Sequence, residues 1–252
     1  MLKISGLVKS FGSLRAVDGV NLTVNRNTVT GLIGSNGAGK TTLFRLICGE
    51  MAPEGGHITF DDVRIDGETP DRIFKRGLGR TFQIPRPFPE MTVLENLMLV
   101  PIDQTGERFW NNWIRYGQVR HEERKARERA LEILSFTGLI TRANAPAGQL
   151  SGGQQKLLEL ARVLMIEPRL ILLDEPAAGV NHVLLETLIE KIVELHKRGI
   201  TFLIIEHNMD LVMNLCHPII VMAQGRVIFE GDAAGVRSDS RVLDAYLGEI
   251  SA

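Results

Sequence analysis

The sequence predicts an α/β fold built on a parallel sheet, with a small antiparallel β layer before it and a helical insertion within it. Three runs are apolar without alternation and rich in β-branched residues, namely residues 29–33, 170–173 and 201–205. Such runs are typical of parallel strands that are covered on both faces. A helical pattern over residues 41–48 follows the first run, and Gly49 stands where a left-handed cap would end that helix.

The antiparallel layer is predicted from alternating residues near the start of the chain. Val20, Leu22 and Val24 are separated by polar residues, and residues 57–60 and 63–65 form a second strand-like patch. A period of two residues indicates strands that are buried on one face only. We therefore expect an N-terminal antiparallel β subdomain.

The middle of the chain is rich in helical patterns. The charged run 121–129 contains opposite charges at helical spacing, which favours a solvated helix face. Trp110 and Trp113 are interpreted as core residues of this lobe, with a contact to a partner protein as the alternative. No internal repeat or low-complexity segment divides the chain. The predicted organisation is one domain over residues 1–252, with an inserted helical subdomain over residues 84–155 and a C-terminal extension of the core over residues 225–252.

Charge and cysteine content exclude several classes of protein. The chain has 29 Lys and Arg against 30 Asp and Glu, a net charge of −1, which disfavours a nucleic-acid partner. Two cysteines are too few for a disulfide framework, and no Cys/His spacing suits a metal, so we expect a reducing cytosol. The apolar stretch 211–225 falls short of the ~20 residues that span a membrane.

A phosphate-binding motif follows the first buried strand. Residues 34–41 read Gly-Ser-Asn-Gly-Ala-Gly-Lys-Thr, which matches G-x-x-x-x-G-K-[ST] between a strand and a helix. Backbone N–H groups and the helix dipole would surround the phosphates, Lys40 would reach the β and γ phosphates, and Thr41 would ligate Mg²⁺. The motif alone fits kinases, GTPases, helicases and transport ATPases. The expected nucleotide-binding residues of this segment are Ser35, Asn36, Gly37, Ala38, Gly39, Lys40, Thr41 and Thr42.

Two adjacent carboxylates end the second buried strand. Neighbouring side chains alternate across a strand, so Asp174 could hold Mg²⁺ while Glu175 polarises a water for in-line attack. A carboxylate at the end of an apolar strand is costly without a cation or hydrogen-bond partners, and the phosphate-binding motif supplies the cation.

A second helix start lies shortly before that strand. Ser151 and Gln154 have capping-box spacing, and an apolar helical face follows them. Gly152 and Gly153 leave the first N–H groups bare for an anion. Taken alone, the segment is equally well explained as a helix cap.

Together these segments resemble the ATP-binding subunit of ABC transporters over nearly the whole chain. The resemblance implies a P-loop NTPase fold with a RecA-like core, with ATP and Mg²⁺ as cofactors. It also implies a dimer in which Ser151, Gly152, Gly153 and Gln154 of one subunit close over the ATP of the other. By the same resemblance Phe11 stacks on adenine, Gln83 senses Mg²⁺ and the attacking water, and His207 contacts the γ-phosphate. The implied sets are catalytic Glu175, His207, Lys40 and Gln83, and metal-binding Thr41, Gln83 and Asp174.

Two departures from the common family pattern are visible. Residues 176–181 read Pro-Ala-Ala-Gly-Val-Asn where many members have Ser-Ala-Leu-Asp, so contacts made by that Ser and Asp are not carried over. Ser35 stands where proline is frequent.

Four segments resemble the ATPases of branched-chain amino acid importers, namely residues 80–97, 177–181, 206–209 and 244–248. Within that group the chain resembles the longer of the two paralogous ATPases. That likeness implies a second ABC ATPase subunit, two transmembrane permease subunits, an indirect periplasmic binding protein and a place at the cytoplasmic face of the bacterial inner membrane. Importers of urea and short amides share much of the pattern. A soluble ABC ATPase acting on nucleic acid or ribosomes, a non-hydrolysing regulatory module and a P-loop kinase are the rival functions.

Overall fold

A computed structural model describes residues 1–81, 83–100 and 116–247 of the chain. The strands are β1 (Leu2–Phe11), β2 (Leu14–Val24), β3 (Val29–Gly34), β4 (Gly55–Phe60), β5 (Val63–Arg64), β6 (Leu78–Arg80), β7 (Leu170–Asp174), β8 (Thr201–Ile205), β9 (Ile219–Ala223) and β10 (Arg226–Gly231). The helices are α1 (Lys40–Ile47), α2 (Pro70–Lys75), α3 (Val93–Met98), α4 (Tyr116–Phe136), α5 (Gly152–Leu164), α6 (His182–Lys197), α7 (Met209–Leu215), α8 (Ala233–Ser238) and α9 (Ser240–Leu247). Trp110, Trp113 and Gly248 lie outside these ranges.

The chain divides into two compact units. The first is formed by Met1–Arg80, Arg169–Ala178 and the described chain from Val193 onward; the second takes Thr81–Pro168 and Gly179–Ile192 as far as they are described. Both sheets belong to the first unit. Among the described residues, no helix combines the length and the apolar character that crossing a membrane requires.

The first unit contains the two predicted sheets. An antiparallel sheet has the order β2-β1-β4-β5, and a mixed sheet has the order β10-β9-β3-β8-β7-β6. Within the mixed sheet, β9, β3, β8, β7 and β6 are parallel and β10 alone is antiparallel. The predicted α/β fold with an antiparallel β layer is therefore confirmed.

One hydrophobic core joins the two sheets of the first unit. It contains Ile4 of β1, Phe44 of α1, Leu172 of β7 and Leu203 of β8, all of them fully or almost fully buried. β3, β7 and β8 are buried along their whole length, which explains their continuous apolar sequence. Because the three strands are parallel, the loops that follow them meet at one edge of the sheet.

The second unit contains a bundle of α3, α4 and α5, which pack on one another. Thr92 and Glu95 form a capping box at the start of α3. Asn96 is fully buried, and its side chain accepts the Phe88 N–H and donates to the Phe88 carbonyl. The buried amide of Asn96 therefore holds the segment before α3 in place.

The charged run, residues 121–129, lies on α4. Its residues are exposed or half-buried, as predicted.

The two cysteines are buried thiols in the first unit. Cys48 ends α1 and is 7% exposed, and Cys216 follows α7 and is 5% exposed. Burial raises the pKa of each thiol to about 12. The thiolate is the reactive form, so we expect neither cysteine of the folded protein to react with Ellman's reagent at about pH 8, and both to react after unfolding in guanidinium. Rapid release of one or two equivalents of thiolate from folded protein would contradict this prediction.

Candidate nucleotide site

The loop between β3 and α1 forms one wall of a cleft in the first unit. Gly39 is the N-cap of α1 with a φ of 98°, and no side chain caps the first turn, which also lacks acidic residues. A Cβ at Gly39 would overlap the carbonyl oxygen of Ala16. Glycine is therefore required by both the left-handed backbone and the close approach of β2. The result is a helix N-terminus whose positive end is available to an anion.

Lys40 is held against this loop. Its ammonium donates to the carbonyl oxygens of Gly34 at 2.7 Å and Ser35 at 2.8 Å, and the residue is only 6% exposed. These contacts keep a positive charge beside the turn. A phosphate entering the loop would meet this charge together with the α1 dipole.

The cleft measures about 270 Å³ and brings together most of the sequence-predicted residues of the first unit. Its lining residues are Phe11, Leu14, Ala16, Asn36, Gly37, Ala38, Gly39, Lys40, Thr41, Thr42, Glu175 and His207. Ser35 and Asp174 are not among them, although the Ser35 carbonyl holds Lys40. Leu14 and Ala16 were not predicted.

An aromatic side chain, Phe11, also lines the cleft. Phe11 ends β1, pairs with Leu14 across the turn into β2, and is 46% exposed. The Lys9 ammonium lies 5.9 Å from the centre of its ring. An exposed ring at the mouth of a phosphate-binding cleft is suited to stacking on a nucleobase.

Glu175 and His207 both line the cleft and contact each other. The Nε2 atom of His207 lies 3.0 Å from Oε1 of Glu175. Glu175 has a φ of 48°, and its N–H donates to the Ile205 carbonyl at 2.9 Å. A non-glycine residue in the left-handed region is uncommon and concentrates at functional sites. This turn brings the Glu175 side chain to the wall of the cleft, where it meets the ring of His207.

Asp174 is buried and does not line the cleft. It is 3% exposed, and its Oδ2 accepts a hydrogen bond from Arg80 at 2.9 Å. Arg80 also contacts Glu50 at 2.6 Å and lies 5.9 Å from the centre of the Phe44 ring. Burial raises the pKa of the Asp174 carboxyl above its ordinary value, and the hydrogen bond from Arg80 acts against that shift. No pattern in the sequence predicted Arg80 as a partner of Asp174.

The remaining predicted residues belong to the second unit. Gln83 is exposed, and Ser151 is the N-cap of α5 with the predicted capping box to Gln154. Gly152 is exposed, whereas Gly153 is buried so closely that a Cβ there would lie 2.6 Å from Cδ1 of Leu184. Gly153 thus allows α6 to pack closely against the N-terminal turn of α5. This turn presents backbone N–H groups.

The segment after Gln83 is fixed to α5 within the same unit. The Arg86 N–H donates to Glu159 at 3.0 Å, and the Arg86 carbonyl accepts from Arg162 at 3.2 Å. The Arg162 guanidinium also lies 5.6 Å from the centre of the Phe88 ring. A movement of α5 would therefore carry this segment with it.

Comparison with known proteins identifies the family. Residues 17–178 match the ABC transporter family, and residues 226–250 match the family described as branched-chain amino acid ATP-binding cassette transporter. The probable branched-chain amino acid transport ATP-binding protein LivG of Methanocaldococcus jannaschii is 40% identical, with 99% of this chain and 98% of that protein covered. The high-affinity branched-chain amino acid transport ATP-binding protein BraF of Pseudomonas aeruginosa is 41% identical, with the same coverage.

A solved structure has the same fold. The crystal structure of a nucleotide-free ATP-binding cassette from an ABC transporter superposes with a TM-score of 0.85 at 39% identity and covers 98% of each chain. The family match extends over more than half of the chain and includes the loop before α1, the start of α5 and the end of β7. This chain belongs to the ABC transporter family, as one of its ATP-binding subunits.

Proposed function

We propose that this chain is the ATP-hydrolysing subunit of an importer that takes up branched-chain amino acids. The observation that carries the proposal is the contact of Glu175 with His207 at the wall of a cleft that also holds Lys40. The names of the relatives and the family matched by residues 226–250 support the choice of cargo. On the likeness of residues 80–97 we assign the chain to the longer of the two ATPases of such a system.

ATP would bind with its base on Phe11 and its phosphates in the loop that begins α1. Lys40 and the N-terminal turn of α1 supply positive charge to the phosphates. Asn36, Gly37, Ala38, Thr41 and Thr42 line the same cleft. Stacking on Phe11 requires no hydroxyl group, so a phenylalanine serves as well as a tyrosine there.

Thr41 and Asp174 of the first unit carry oxygen donors of the kind that bind Mg²⁺. Hydroxyl and carboxylate oxygens are the ligands that Mg²⁺ prefers, and it usually binds through one or two carboxylates together with substrate phosphates. Within the described residues, no group of three or more His, Cys, Asp or Glu side chains could hold a metal alone. We assign Thr41, Asp174 and Gln83 to the ion, which would neutralise charge that develops on the phosphates.

Hydrolysis would be driven by positioning and electrostatics. Glu175 orients the attacking water in line with the γ-phosphate and accepts its proton. The water oxygen forms a bond to the γ-phosphorus while the bond from the γ-phosphorus to the bridging oxygen breaks, which gives ADP and phosphate. His207, held by Glu175, donates to a γ-phosphate oxygen. Lys40 stabilises the charge that moves onto the leaving oxygen.

A second ATPase subunit would complete each site. The N-terminal turn of α5 has a capping box and two glycines but sits on the second unit of the chain. Ser151, Gly152, Gly153 and Gln154 of one protomer would close over the triphosphate held by the other. ATP would then join two protomers, and its hydrolysis would let them separate.

The inserted helical subdomain, residues 84–155, would transmit the closure of the dimer to the permease subunits in the membrane. Arg86 is bonded to α5 through both its N–H and its carbonyl, so the segment after Gln83 would move with the Ser151 helix end. We place two permease subunits against this segment, at the cytoplasmic face of the inner membrane, with a periplasmic binding protein delivering the cargo. We also propose residues 225–252 as a C-terminal extension of the core; the described part, residues 225–247, belongs to the first unit.

Uptake by living cells tests the function. Deleting the gene from its host should abolish binding-protein-dependent uptake of radiolabelled leucine, isoleucine and valine, since transport requires a subunit that hydrolyses ATP. The wild-type gene should restore uptake and the Glu175→Gln variant should not. Uptake of lysine by its own system serves as the control. Loss of urea uptake with normal leucine uptake would assign a different cargo, and unchanged uptake of both would contradict the transport function.

A further inference from the structure

A buried carboxylate outside the predicted site connects the two loops that carry Glu175 and His207. Glu206 follows β8 and is 3% exposed. Its Oε1 accepts the N–H of Ala177 at 2.6 Å. Its Oε2 accepts the N–H of His207 at 2.9 Å and the N–H of Asn208 at 3.1 Å. Both carboxylate oxygens are therefore used, one for each loop.

Burial explains why these bonds matter. A carboxylate removed from water is costly unless hydrogen bonds stabilise it, and three backbone donors provide that stabilisation. Hydrogen bonds to a charged acceptor are shorter and stronger than neutral ones. The loops after β7 and β8 are thus fixed relative to each other at a point two residues beyond Glu175 and one residue before His207.

The bonds of Glu206 lie beside the contact between the catalytic side chains. Glu175 is anchored by its own N–H to the Ile205 carbonyl at 2.9 Å, and its side chain meets His207 at 3.0 Å. Its left-handed backbone, with a φ of 48°, has to be maintained by its surroundings. Glu206 ties down the chain on the far side of that turn, at Ala177.

We propose that Glu206 is a positioning residue for ATP hydrolysis, which holds the loop after Glu175 and the loop of His207 in the geometry that chemistry requires. The inference rests on the proposed ATPase function. Glu206 does not line the cleft and acts through the other two residues. Its role is distinct from ATP binding, which depends on the loop before α1.

Glutamine cannot replace this carboxylate. A carboxamide of the same size has one acceptor oxygen, and its NH₂ group would face a backbone N–H. Either the Ala177 loop or the His207 loop would lose its partner, while the volume of the side chain would stay the same. Glu206→Gln thus keeps the shape of the side chain but removes a hydrogen bond that holds one of the two loops.

Kinetics of the full-length chain test the proposal. For Glu206→Gln we expect kcat for ATP hydrolysis to fall by about 10-fold or more, because small misplacements of catalytic groups have effects of this size. The KM for ATP and the Kd of a fluorescent ATP analogue should stay within about 2-fold of wild type, since the substitution does not alter the loop that binds ATP. Amide hydrogen exchange at Ala177, His207 and Asn208 should become faster.

A double-mutant cycle separates positioning from general destabilisation. In a His207→Ala background, Glu206→Gln should lower kcat much less than it does in the wild-type protein, because one of the groups that Glu206 positions is already absent. If the two substitutions acted independently, their fold-decreases in kcat would multiply in the double variant. Asp66→Asn is the control: the Asp66 carboxylate follows β5, accepts the N–H of Ile58 in β4 at 2.9 Å and is also paired with Arg64. We expect that control to leave kcat unchanged.

The outcomes of the two hypotheses can be told apart. A wild-type chain that hydrolyses no ATP, alone or with its permease, would overturn the proposed function. Hydrolysis by wild type, its loss in Glu175→Gln and a normal kcat in Glu206→Gln would overturn only the role of Glu206. A fall in kcat that multiplies with the His207→Ala effect would also overturn it.

Discussion

Replacing Glu175 with Gln is expected to slow ATP hydrolysis by about 10²-fold or more, the cost of losing a general base, while the affinity for ATP stays near wild type. Glutamine keeps the size of the side chain and a contact to His207, but it accepts no proton from water. Phosphate release under saturating MgATP measures the first effect, and titration with a fluorescent ATP analogue measures the second.

Glu167→Gln is the matched control for this substitution. Glu167 is also a glutamate in the left-handed region, with a φ of 52°, and it lies outside the cleft. Its replacement should leave the hydrolysis rate unchanged. Near-normal turnover by Glu175→Gln would remove Glu175 from the catalytic role.

The same variant reports on assembly. If two protomers enclose each ATP, Glu175→Gln should elute as a dimer in size-exclusion chromatography with MgATP and as a monomer without nucleotide, because bound ATP persists at the interface. A monomer under both conditions would contradict the closure of the Ser151 helix end over a second protomer.

Replacing Lys40 with Ala is expected to weaken MgATP binding by about 10- to 100-fold, which corresponds to the 1.5–3 kcal/mol typical of a hydrogen bond to a charged group. The ammonium is held at the loop by Gly34 and Ser35, so its loss removes a charge that is already in place. Isothermal titration with a slowly hydrolysed ATP analogue measures the change. Lys197→Ala, an exposed residue at the end of α6, is the control and should bind normally. Wild-type affinity in Lys40→Ala would contradict a phosphate-binding role for this loop.

The buried strands and the helix starts were predictable because their patterns are local. Residues 170–173 and 201–205 are apolar throughout because β7 and β8 are covered on both faces. Ser151 and Gln154 form the capping box that their spacing predicted. The loop before α1 also follows from local sequence, since its glycines are required at fixed places in the turn.

The residues that sequence reasoning missed depend on contacts between distant segments. Arg80 reaches Asp174 across two neighbouring strands, and Glu206 reaches Ala177 across two loops. No spacing in the sequence signals either contact. β9 was also missed, because residues 211–225 were considered only as an apolar stretch. In the structure Pro218 lies between α7 and β9, and β9 pairs with β3 in the parallel part of the sheet.

The burial of both natural cysteines also bears on how motion in this protein can be followed. Cys48 and Cys216 are buried within the first unit, so maleimide dyes and spin labels should leave them untouched. A single cysteine introduced at exposed Lys125 of α4 or at exposed Lys197 of α6 would then be the only residue to take up label. Fluorescence energy transfer between labels at two such positions would record how the second unit moves during the catalytic cycle.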